Sequence, residues 1–78
     1  MDKVLIKQHL NTIDFVMNNL QRNIDFQDLK LSAGIIQDVD ERTAIEMWID
    51  SSKEALCDLD TIRQEYQKEL NKCNITMN

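Results

Sequence analysis

Two cysteines, one histidine and a series of spaced carboxylates are the residues of this chain that could do chemistry. Cys57 and Cys73 fall in what reads as one helix, sixteen positions and roughly 24 Å apart along its axis. A disulfide needs its Cα atoms within about 7 Å, so the pair cannot close inside one chain. Cysteines that cannot pair fit a reducing compartment, and the chain is expected to be cytoplasmic. A nucleophilic thiolate needs an electropositive neighbourhood, and Asp58 next to Cys57 supplies the opposite. His9 has no cysteine or acid at ligand spacing, and no Cys-x-x-Cys pair exists. With one glycine, Gly34, the chain cannot build a phosphate cradle. The expectation is therefore no enzyme, no catalytic residue, no metal site, no cofactor and no small-molecule substrate.

The carboxylates carry a pattern. Glu46, Asp50, Glu54 and Asp58 recur every four residues. Like charges at that spacing are helix neighbours and cost a few tenths of a kcal/mol per pair. Between residues 38 and 60, eight acids stand against Arg42 and Lys53, a local charge of −6 in a chain whose total is −5. Such a stripe can dock on a basic groove, in the manner of a nucleic-acid mimic, or simply keep a helix face wet. The acidic balance argues against direct binding to nucleic acid or to an anionic membrane surface. No apolar run exceeds three residues, whereas a signal peptide needs about 7–15 and a spanning helix about 20. Neither is expected.

The elements that must position these residues are helical. Proline is absent, and little in the chain can form tight hairpins. A first helix is expected from about Asp2, as N-cap, to Arg22. Its seam is Ile6, Leu10, Ile13, Met17, Leu20 and Ile24, spaced four and three in alternation. Phe26, Leu29, Ala33 and Ile36, spaced three, four and three, suggest a short helix over about residues 25–36, capped by Asp25 and broken near Gly34, with a loop as the alternative. The long helix is expected from about 39 to 72, with acids at its start and Lys68 and Lys72 at its end. A frayed tail, residues 73–78, would follow. The seam of the long helix reads as Ile45, Trp48, Ser52, Ala55, Leu59, Ile62, Tyr66 and then Leu70 or Cys73.

The fold class implied is all-α: one domain, an antiparallel hairpin of two long helices with a short helix between them. A core this small supplies only about 3–5 kcal/mol, and the long seam outruns the shorter helix. A dimeric bundle is therefore expected. The function expected is protein–protein interaction by an assembly factor, chaperone or adaptor. Its contact residues would be the seam side chains Trp48, Leu59, Ile62, Tyr66 and Leu70. The alternative is an acidic regulator or inhibitor acting through Glu46, Asp50, Glu54 and Asp58.

Overall fold

The computed structural model describes residues 2–76 of the chain. Helix α1 spans Lys3–Ser32 and helix α2 spans Val39–Thr76; no other helix or strand occurs among the described residues. The two lie side by side as an antiparallel hairpin measuring 60 × 15 × 15 Å. Its radius of gyration is 17.5 Å, against about 11.5 Å for a compact globule of equal length.

Helix α1 begins where the sequence places it. The Asp2 carboxylate accepts a hydrogen bond from the Val4 N–H at 3.1 Å, satisfying one of the open donors of the first turn. It does not stop at Arg22, and no separate short helix follows; α1 runs on for ten more residues. Asn23 and Asp25 are only mild helix breakers. Instead of capping a new helix, Asp25 accepts from the Gln21 amide at 2.9 Å, one turn back. Ile24, at the next seam position, is 2% exposed, so packing holds the backbone helical through the expected break.

The true end is made by Gly34, which sits at φ +70. The Ile35 N–H donates to the Lys30 carbonyl and the Gly34 N–H to the Leu31 carbonyl, the pairing of a Schellman cap. Residues 33–38 form the connection, and within it Ile36 is buried while Ile35 stays outside. Asp38 then opens α2, its carboxylate accepting from the Asp40 N–H at 3.1 Å. A Cβ added at Gly34 would meet nothing within 4 Å, so a side chain there suffers only from the backbone angle. Gly34→Ala should therefore cost about 1–2 kcal/mol. The check is a lower urea midpoint with an unchanged slope.

On α1 the seam is the expected one. Ile6, Leu10 and Ile24 are buried, and Ile13, Met17 and Leu20 are half-buried between them. On α2 the inward line differs from the expected seam. It runs through Ile45, Ile49, Ser52, Leu56, Leu59, Arg63, Tyr66, Leu70 and Cys73, alternating four and three. The two lines share Ile45, Ser52, Leu59 and Tyr66. They part where Ile49, Leu56 and Arg63 replace Trp48, Ala55 and Ile62. Ile49 is 5% exposed and Ser52 7%, whereas Trp48 is 41% and Ile62 46%. The cause is visible at Arg63, which occupies a seam position without burying its charge. Its Nε reaches Asp14 of α1 at 2.9 Å, and it also faces Asp60 at 3.5 Å. The Arg63 side chain stays 46% exposed, at the edge of the seam, where it ties α2 to α1.

Two cross-helix contacts fix the register: His9 against Tyr66, with ring centroids 5.2 Å apart, and Asp14 against Arg63. Continued along the pair, that register sets Ile6 near the level of Leu70 and Ile24 near that of Ser52. Helix α2 extends through Thr76, into the stretch expected to fray, and residues 77–78 of that stretch lie outside the described residues. Among the described residues no helix is long and apolar enough to cross a membrane.

Candidate interaction surface

Trp48, Ala55 and Ile62 stand seven residues apart, on one flank of α2 beside the seam. Trp48 and Ile62 lie roughly 21 Å apart along the axis. Each lines a shallow hollow. Trp48 shares its hollow with Gln27, Ala44, Ile45 and Glu41; Ile62 shares the other with Tyr66, Glu65 and Glu69. In both, an apolar floor is rimmed by carboxylate. The small Ala55 lies between them. This arrangement suits two apolar anchors from a partner, with basic groups beside them.

Of the expected seam contacts, Leu59, Tyr66 and Leu70 are half-buried against α1, and only Trp48 and Ile62 are turned outward. Tyr66 does both jobs: its ring tilts 36° against His9 and still lines the hollow next to Ile62. The structure thus brings Ile62 and Tyr66 together and leaves Trp48 at a second, separate spot.

Glu46, Asp50, Glu54 and Asp58 are all exposed. Among the described residues, none of the four takes part in an ion pair or a side-chain hydrogen bond. The ion pairs within α2 fall further along, at Arg63 with Asp60, Lys68 with Glu65 and Lys72 with Glu69. Spaced by four rather than 3.6, the stripe winds slowly around α2 and crosses the side facing away from α1 near Glu54. It is therefore not a single row beside the Trp48 hollow.

No disulfide joins the two cysteines: Cys57 is exposed, and Cys73 is half-buried at the seam. Among the described residues no three of His, Cys, Asp or Glu stand close enough to hold a metal ion. Phe26 and Leu29, read from the sequence as the apolar side of a short helix, are 56% and 65% exposed, and Val4 and Phe15, to which the sequence reading gave no role, are 61% and 69% exposed. Their signal is the spacing of eleven between Val4, Phe15 and Phe26, which a search for a single four-three seam passes over.

The fold and this surface define a class: an antiparallel α-helical hairpin with more large apolar side chains outside than inside among its described residues. Compared with known protein families, with curated proteins and with solved structures, the chain finds no match.

Proposed function

We propose that this chain is a non-enzymatic interaction protein, an assembly factor, chaperone or adaptor that lends an apolar helix face to a protein partner. One observation carries the reading. Among the described residues five hydrophobic side chains are buried, while eleven large ones are at least 41% exposed. Single exposed apolar residues are ordinary, but so many on so small a chain mark surfaces that are covered in use. The two carboxylate-rimmed hollows at Trp48 and Ile62 are the partner site, with Tyr66 forming the wall of the second. Cys57 and Cys73 stand sixteen residues apart on α2, too far to bond to each other within the chain, which suits a cytoplasmic setting. A homodimer is part of the same reading, because a two-helix core of this size is marginal alone.

The exposed, unpaired carboxylates favour a second reading, a regulator that fills a basic groove on a larger protein. Binding assays on a captured partner separate the two. Under the first reading, Trp48→Ser with Ile62→Ser weakens binding at least tenfold while helical circular dichroism is unchanged. Glu54→Lys with Asp58→Lys then has little effect. Under the second, the lysine pair abolishes binding, and the affinity of the parent chain falls steeply with salt. Retention of full affinity by both double variants would dispose of both readings.

A further inference from the structure

We infer that the flank of the hairpin joining the two hollows is the seat of one amphipathic helix from a partner protein, apolar along one stripe and basic along the edge that meets α2. The inference rests on the interaction reading and names the partner's chemistry. The two flanks of the hairpin differ. On the side where Asp14 meets Arg63, the flanking positions are Lys7, Asp14, Gln21 and Asp28 on α1 and Glu46, Lys53, Asp60 and Gln67 on α2, spaced by seven and all polar. On the side where His9 meets Tyr66, the same count runs through His9, Val16, Asn23 and Lys30 on α1 and through Trp48, Ala55 and Ile62 on α2. Val16 is 43% exposed, and the register sets it between the levels of Ala55 and Ile62. Phe26 stands further out, near the level of Trp48. An apolar groove therefore connects the hollows, with α2 as one wall and α1 as the other.

A helix fits this groove and an extended segment does not. Trp48 and Ile62 stand two heptads apart, the repeat at which a neighbouring helix presents the same face again. Both walls are α-helical, with their backbone groups engaged within each helix, so a strand finds no edge to pair with. Charge selects which helix. The carboxylates of Glu41, Glu65 and Glu69 rim the hollows, and no lysine or arginine lines either one. Glu65 and Glu69 face Lys68 and Lys72 at 3.4 and 3.3 Å, in exposed pairs weak enough for incoming bases to share. Over its length α2 carries nine acids against five bases, whereas α1 carries three against four. The four flank positions of α1 include no carboxylate, and Lys30 among them lies over the Phe26 ring at 4.8 Å. The partner's lysines or arginines therefore belong on its α2 side. A second copy has no such edge to give. Its α2 is acidic, and the bases of its α1, Lys3, Lys7, Arg22 and Lys30, fall at four different places in the heptad.

The probe is a synthetic peptide of about three heptads, with leucine at positions a and d, lysine at e and g, and no tryptophan or tyrosine. Trp48 is the only tryptophan of the chain, so its emission reports the groove directly. Added to the full chain, the peptide is expected to bind one to one and shift that emission to the blue. With glutamate in place of lysine, or with its residues shuffled, it is expected to bind about tenfold more weakly or worse. The same loss is expected for Val16→Glu, on the α1 wall, and for Glu41→Lys with Glu65→Lys, on the α2 rim, each with helical circular dichroism unchanged. Glu46→Lys with Asp50→Lys, an equal change of charge away from the groove, should leave the affinity within about twofold. Full affinity in Val16→Glu, or equal binding of the shuffled peptide, overturns the groove. Equal losses from the two lysine pairs overturn the charge match that defines the partner. Light scattering in which the peptide displaces a second copy makes that copy the occupant and overturns the inference as well. If the peptide fails while Trp48→Ser with Ile62→Ser still weakens a captured partner, this inference falls alone. If that serine pair also has no effect, the interaction reading falls with it.

Discussion

Ile24→Ala is expected to remove most of the helical circular dichroism of the isolated chain. Ile24 is 2% exposed and, with Ile6, one of the two most fully buried large side chains. Trimming a buried isoleucine to alanine costs about 2–5 kcal/mol. The whole core of a domain this size supplies only about 3–5 kcal/mol. Ile24 also carries α1 through the stretch around Asn23 and Asp25, so its loss releases that part of the helix as well as the packing. Met47→Ala, at a side chain 66% exposed, is the control and should leave the spectrum alone. An Ile24→Ala protein with the parent's unfolding midpoint would contradict the packing described here.

The second large effect separates two neighbours that look alike in sequence. Ser52→Trp should lower the melting temperature sharply, while Ala55→Trp should leave it near that of the parent. Ser52 is 7% exposed and faces α1 near the level of Ile24, with no room for a large ring. Overpacking of this kind costs about 1–3 kcal/mol, and each kcal/mol moves the melting point by about 4–8 °C in a small domain. Ala55 is exposed on the flank between the two hollows. Thermal melts followed by circular dichroism decide it. Equal losses at the two positions would mean that the inward line of α2 runs elsewhere.

How much could be read in advance depended on how many lines of side chains each helix offered. On α1 a single aliphatic line, Ile6 to Ile24, alternates four and three without interruption, and it is the line that packs. On α2 two lines share Ile45, Ser52, Leu59 and Tyr66, and the choice turns on position 63. Periodicity alone rejects an arginine there in favour of Ile62. What places Arg63 inward is Asp14, forty-nine residues away, and separation in sequence hides such a partner. The connection was obscured differently. Arg22, Asp25 and Gly34 all mark a boundary in the sequence, but only Gly34 sits at a left-handed angle in the fold, so α1 passes the first two and ends at the third. The exposed line on α1 stayed hidden because its spacing of eleven does not fit the four-three alternation by which the seam is recognised.

The outline of the molecule has a practical consequence. A rod four times longer than it is wide drags more water than a sphere of its weight. On a sizing column it elutes early, and a single chain passes for a pair. Column position therefore says little about how many copies travel together. Sedimentation equilibrium, which is blind to shape, gives the stoichiometry directly.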